Sequence, residues 1–104
     1  MAQVGAEKVL GDHIATGPGT AVALGSTRLE GSQIVIRGTF VGTVSIEVST
    51  DNGSNYVTAR DIANNELSGI TAGRGAVLAG AATHIRSNCT AFTSGTIVVR
   101  HLVD

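Results

Sequence analysis

The clearest alternation of apolar and polar residues in this chain lies between residues 44 and 49. An extended segment with this pattern presents one apolar and one polar face, as in a half-buried β-strand. The pair Asn52-Gly53 follows, and it supplies the positive φ angles of a tight turn. Residues 56–59 then have the composition of a returning strand, so the sequence predicts a β-hairpin. The alternating residues are Val44, Ser45, Ile46, Glu47, Val48 and Ser49.

Short apolar segments separated by glycine or asparagine continue along the rest of the chain. A turn is predicted at 16–19, around the only proline, and a long loop at 63–74, with one helical turn as an alternative. Seven or eight short strands without a sustained helical period indicate an all-β antiparallel β-sandwich or jelly-roll. Residues 1–15 are predicted to be an N-terminal arm or a weak first strand, and residues 16–104 the sandwich domain. The further strands are predicted at 8–10, 21–24, 33–37, 76–79, 84–89 and 95–103.

Composition narrows the classes of function. The 104 residues suffice for one domain, and only 14% of them are charged, against roughly a quarter in typical soluble domains. A net charge of −1, with the basic residues scattered, argues against nonspecific binding to nucleic acid. A surface with so little charge favours a protein that is covered by partners.

The chain carries no sign of an oxidising compartment or of a membrane. Cys89 is the only cysteine, so an internal disulfide is excluded, and its spacing from Ile85 and Ser87 predicts a buried core thiol. No segment approaches the roughly 18 apolar residues of a membrane helix, and residues 1–13 lack the pattern of a signal peptide. We expect a protein that is made and kept in a reducing, cytosol-like environment.

The predicted turn carries a recognisable motif. Residues 49–56 match S-x-D-x-G-x-x-[YW] and resemble the Asp-box hairpin of sialidase-like propellers, in which the box is structural and recurs several times. Asp51 is suited to accept backbone N–H groups across the turn formed with Asn52 and Gly53, while Tyr56 packs over the hairpin. We predict a structural turn. The alternative, a calcium site built from the same oxygen-bearing side chains, lacks a full calcium-loop pattern.

No spacing of residues indicates catalysis. His13, His84 and His101 are far apart, so only folding or symmetry would join them in a metal site. No G-x-S-x-G element links a serine to a histidine. The sequence therefore predicts a protein that is not an enzyme and has no cofactor and no bound metal.

Four segments in a fixed order carry a resemblance to a known family. They are residues 16–24, 34–56, 84–88 and 93–102, and together they cover most of residues 16–103. In this order they resemble small β-sandwich virion proteins of tailed bacteriophages. In that family a G-T-F-x-G-T-V strand leads to an S-x-D-G-G-x-x-W/Y hairpin, and a terminal S-G-T-x-x-V strand follows. Here Tyr56 stands in place of the commoner tryptophan, and Asn52 replaces the first glycine of the turn.

The resemblance implies a non-enzymatic capsid decoration (cement) protein, which would bind the outer capsid surface and stabilise the shell. It implies a homo-oligomer, with a trimer favoured, and the major capsid protein as partner, without nucleic acid or membrane. The location implied is the virion surface after synthesis in the host cytoplasm. The N-terminal arm and the loops at 51–55 and 63–75 are expected to make contacts. The interface candidates are Lys8, Arg74, Arg86, Arg100 and His101.

Two other classes of protein stay open at this point. One is a tail or head–tail adaptor component of a virion. The other is a small β-sandwich that binds a carbohydrate or a receptor, although Phe40, Tyr56 and Phe92 are the only aromatic residues available for a sugar platform. For Arg86 and Arg100, a solvated position and a contact between subunits are both compatible with the strand pattern.

Overall fold

A computed structural model gives the architecture, and it describes residues 6–19, 21–23 and 31–103. These residues form nine β-strands and no helix, so the all-β prediction is confirmed. The strands are β1 (Ala6–His13), β2 (Gly17–Pro18), β3 (Val22–Ala23), β4 (Gln33–Arg37), β5 (Phe40–Ser49), β6 (Val57–Thr58), β7 (Arg74–Val77), β8 (His84–Gly95) and β9 (Ile97–Val103).

The strands form two antiparallel sheets packed as a sandwich. Sheet 1 has the order β1-β9-β4-β7, and sheet 2 has the order β2-β8-β5-β6, with β3 also paired to β8. If the two-residue β3 is set aside, the first strand pairs with the last, the second with the second last, and so on towards the middle of the chain. The pairs are β1 with β9, β2 with β8, β4 with β7 and β5 with β6. This order is that of an eight-stranded jelly-roll.

Several strands lie where the sequence predicts them. The strand at 33–37 has the predicted bounds, and the hairpin forms with Val48 opposite Val57. The predicted strands at 76–79, 84–89 and 95–103 correspond to β7, β8 and β9 with shifted ends. For the predicted strand at 21–24, β3 covers Val22–Ala23, and Leu24 lies outside the described residues.

Other expectations need correction. Gly17–Pro18 is a short strand paired with β8 rather than part of a turn, and no helical turn forms in residues 63–74. Residues 6–13 form a full strand along β9, so this part of the expected arm belongs to the sandwich. Residues 1–5 lie outside the described residues.

The core fills the space between the sheets. The alternating residues of β4, β5 and β9 point inwards, which follows from the period of two in a strand. The segment predicted as a loop also contributes, because Leu67 and Ile70 are buried and their backbones hydrogen-bond to Ile46 and Val44 of β5. The buried apolar residues are Leu10, Ile34, Ile36, Val44, Ile46, Val48, Ala59, Leu67, Ile70, Leu78, Ala82, Ile85, Cys89, Ile97 and Val99.

Two paired strands cross from one sheet to the other at a common corner. Arg37 lies opposite Val98 in sheet 1, and a few residues away Phe40 lies opposite Gly95 in sheet 2. The pairing is bridged by a hydrogen bond from the Thr96 N–H to the Thr39 carbonyl, 3.1 Å. Gly95 has a φ of +88°, and a Cβ at this position would collide with the Thr39 carbonyl and lie 2.7 Å from Phe40 Cα. The corner therefore requires glycine at position 95.

We expect Gly95→Ala to lower the free energy of unfolding by about 2–4 kcal/mol, because it adds a backbone clash to the strain of a positive φ. Gly80→Ala is the matched control, since Gly80 has a φ of +82° with nothing within 4 Å of the position that a Cβ would take. The control should cost only about 1–2 kcal/mol. Urea unfolding of the two variants checks the difference, and equal losses would contradict the role of the corner.

Candidate functional site

The turn at residues 51–55 has the geometry predicted from its motif. Asn52 and Gly53 have φ angles of +61° and +88°, and the Ser54 N–H donates to the Asp51 carbonyl. The Asp51 carboxylate accepts the Asn55 N–H at 2.9 Å, the Asn55 side-chain amide at 2.8 Å and the Ser49 hydroxyl at 2.8 Å. These bonds lower the pKa of Asp51 to about 2, the largest cause being the side-chain amide of Asn55. The carboxylate therefore closes its own loop.

A second loop ten residues further along uses the same device. The Asp61 carboxylate accepts the backbone N–H groups of Ala63 and Asn65, both at 2.9 Å, and Asn64 has a φ of +66°. These bonds, led by the one from the Asn65 N–H, lower the pKa of Asp61. The sequence signal for this loop is D-x-x-x-N, which occurs at 51–55 and again at 61–65. Sequence reasoning missed the second occurrence.

The outer face of sheet 2 carries a network of polar side chains. Arg86 donates to Glu47 at 2.7 Å, and Asn88 donates to the other carboxylate oxygen at 3.3 Å. The Arg86 guanidinium lies 3.9 Å above the centre of the Tyr56 ring. Such a stacked, paired arginine is held in place by its own chain, and it covers one face of the aromatic ring.

The outer face of sheet 1 carries several apolar residues together with two arginines, Arg37 and Arg100. Arg100 donates to Asp12 at 2.9 Å and to the Val99 carbonyl at 3.0 Å, and its side chain is only 14% exposed. The register places five apolar residues on this face, of which Val9 is 56% exposed. Outward residues of a sandwich are usually polar, so this face differs from the ordinary pattern. The five are Val9, Val35, Val77, Val98 and Leu102.

Two histidines lie inside the protein. His13 Nε2 lies 2.6 Å from the Ser87 hydroxyl, which itself donates to the Leu10 carbonyl, so the imidazole is the donor. His101 is fully buried, with Nε2 3.0 Å from the Ser32 hydroxyl and no partner for Nδ1 among the described residues. Burial lowers the pKa of both rings, although Asp12 opposes the effect at His13. Ser87 is also fully buried, so the pair lacks the access that a nucleophile needs.

The five interface candidates have different positions. Lys8 is paired through its backbone with His101 at the edge of sheet 1. Arg74 is 42% exposed and 3.9 Å from Asp61, whereas Arg86 and Arg100 are paired within the chain as described above. His101 lies in the core, because its strand alternation points it between the sheets. It is therefore no surface contact.

The described residues offer little for a ligand or a metal. Residues 11–19 line an open depression of about 330 Å³, in which Asp12 is the only charged side chain. Within residues 6–19, 21–23 and 31–103, no group of three or more His, Cys, Asp or Glu side chains has the arrangement of a metal site. The same residues contain no helix of the length and apolarity needed to cross a membrane.

Comparison with known proteins gives no relative from which a function can be transferred. No protein family, no curated protein and no solved structure matches this chain.

We expect the stability of the protein to fall as the pH drops from about 4 towards 2, because the folded state holds Asp51 ionised. The unfolded chain takes up this proton near its ordinary pKa of 3.8, and the folded chain only near 2. Asp51→Asn should flatten the decline of the melting temperature in this range. A titration of the Asp51 carboxyl by NMR is the direct measurement, and a midpoint at its ordinary value would contradict the geometry.

We also expect a loss of stability as the pH falls below about 6.5, because His13 and His101 have lowered pKa values in the folded state. The unfolded chain binds protons in this range before the folded chain does, so the full contribution is present only above it. Urea unfolding between about pH 7 and about pH 5 measures the slope. His101→Leu, with His101→Gln as a second variant, should reduce it, and a flat profile for the wild type would refute the expectation.

Proposed function

We propose that this chain is a non-enzymatic structural protein of a phage virion, which decorates the outer surface of the capsid as a symmetric homo-oligomer. In this proposal the oligomer, a trimer by analogy with the resemblance, binds the major capsid protein and stabilises the shell by many weak contacts repeated over its surface. Catalysis, cofactors, nucleic acid and membranes play no part in it.

The observation that carries the proposal is the group of five apolar residues on the outer face of sheet 1. A soluble monomer gains nothing by holding Val9 and its apolar neighbours in water, whereas a protein that is covered by partners buries them. The low charge of the chain and its jelly-roll order agree with this, since jelly-rolls recur among viral coat domains. A shared fold does not define a function, so the jelly-roll order is consistent with the proposal but does not carry it.

The rival function, a carbohydrate-binding module, has weaker support. Sugar platforms use exposed aromatic faces, but Phe40 and Phe92 pack against the core and the Tyr56 ring is covered by Arg86. These are all the aromatic residues of the chain. A tail or head–tail adaptor role uses the same surfaces as decoration, and only the identity of the partner distinguishes it.

The test is to determine the mass of the purified protein in solution and then mix it with expanded, undecorated phage capsids. We expect a discrete oligomer that adds regular knobs to the shell in electron micrographs and raises the melting temperature of the shell. Capsids already saturated with their own decoration protein are the control, because their sites are occupied. A monomer that leaves bare shells undecorated would refute the proposal, and clear binding on a glycan array would favour the rival.

A further inference from the structure

At one end of the sandwich, neighbouring segments of the described residues carry no charged side chain. Four segments meet there, next to the corner at which β4 passes into β5 and β8 into β9. None of the seven Lys and Arg residues and none of the eight Asp and Glu residues lies in them. We call this surface the uncharged end; it consists of residues 14–17, 39–43, 70–72 and 90–95.

The pairing of the strands makes these segments neighbours. Val41 lies opposite Ser94, and the Ile70 carbonyl accepts the N–H of Val44, the residue that follows the segment 39–43. On the other side of β8, Gly17 lies opposite Cys89, and His13 lies opposite Ile97. The stretch from Ser94 to Ile97 therefore runs between Val41 and the start of the segment 14–17, and the four segments form one surface.

Two large apolar side chains project from this surface. Ile14 is 71% exposed and Val41 is 59% exposed, and around them lie exposed Thr, Ser, Ala and Gly residues. Depletion of charge is the compositional mark of the centre of a protein interface, and exposed apolar side chains add to it. The register of β5 with β8 shifts next to Gly42 and again next to Val44, and such bulges hinder the addition of another strand. A partner would therefore contact this surface through side chains and not by adding a strand to the sheet.

We propose that the uncharged end is the surface through which copies of this chain associate. The inference deepens the proposed function and rests on its homo-oligomer. In a cyclic assembly, residues close to the symmetry axis lie near their own copies, so a charge there meets a like charge. A surface without charges avoids this repulsion. Contact with a different protein gains instead from complementary charges, which this chain carries elsewhere.

The outer face of sheet 1 is less suited to self-association. Arg37, Gln33 and Asp12 also lie on it and are exposed, so charged and polar groups surround its apolar residues. This face is therefore left for a partner of different sequence, such as the shell in the proposed function.

The test compares Val41→Glu with Val57→Glu. Both valines lie in sheet 2 and are similarly exposed, at 59% and 64%, but only Val41 belongs to the uncharged end. We expect Val41→Glu to weaken association at least tenfold, a loss of roughly 1.4 kcal/mol, because it places identical charges in the interface. Val57→Glu should leave association unchanged. Sedimentation equilibrium over a range of concentrations measures the constants.

A second pair of variants tests whether a loss of association could come from a local disturbance of the fold. Ile14→Glu changes the uncharged end, and Ile62→Glu changes a similarly exposed isoleucine beside Arg60 and Asp61. Far-ultraviolet circular dichroism and urea unfolding of all four variants establish that each is folded. Ile14→Glu should weaken association as Val41→Glu does, and Ile62→Glu should not.

The outcomes separate the two proposals. A wild type that stays monomeric at all concentrations refutes the homo-oligomer, and this inference falls with it. If the wild type associates and both changes in the uncharged end leave its association constant unaltered, the surface is wrongly assigned while the oligomer stands. Dissociation by Val57→Glu or Ile62→Glu alone would likewise refute the assignment. Selective dissociation by the Ile14 and Val41 variants supports it.

Discussion

The fold depends on the corner at which two paired strands leave sheet 1 together and enter sheet 2. Because β4 stays beside β9 and β5 stays beside β8, the pairing passes from one sheet to the other around Gly38 and Gly95. Both residues have positive φ, and the backbones approach so closely that a Cβ on Gly42 would lie 2.7 Å from the Ala91 carbonyl. This closeness selects small residues at the corner. The lack of charge at that end is thus compatible with the demands of the fold as well as with association.

Most charged side chains in the described residues form hydrogen bonds or ion pairs within the chain. Asp51 and Asp61 each close a loop by accepting N–H groups from an asparagine four residues on, and Arg86 and Arg100 are held by Glu47 and Asp12. Ion pairs of this kind contribute little stability when exposed, but they fix side chains in one position. The result is a rigid surface on which most charged groups already bind their own chain.

The sequence predicts the parts of the fold whose signals are local. The alternation at 44–49 and the Asn52-Gly53 pair act over neighbouring residues, so the hairpin follows from them. The strand β1 is only partly predictable because a register shift between Val9 and Gly11 interrupts its alternation. Residues 63–74 show no alternation of apolar and polar residues. Leu67 and Ile70 are held in place by backbone hydrogen bonds to β5, which lies far away in the sequence, so their burial could not be predicted.

In the candidate site, too, the local contacts could be predicted from the sequence and the distant ones could not. The Asp51 turn is readable from its motif, whereas the contact of His13 with Ser87 joins residues 74 positions apart and leaves no mark in either segment. The uncharged end has the same character, since its four segments are ordinary singly and become one surface only through the jelly-roll pairing. Under the proposed function such surfaces act by contact, which requires a sandwich stiff enough to hold them. Among the described residues, the reactive side chains bind their own chain, and the proposed function rests instead on surfaces that the strand pairing assembles.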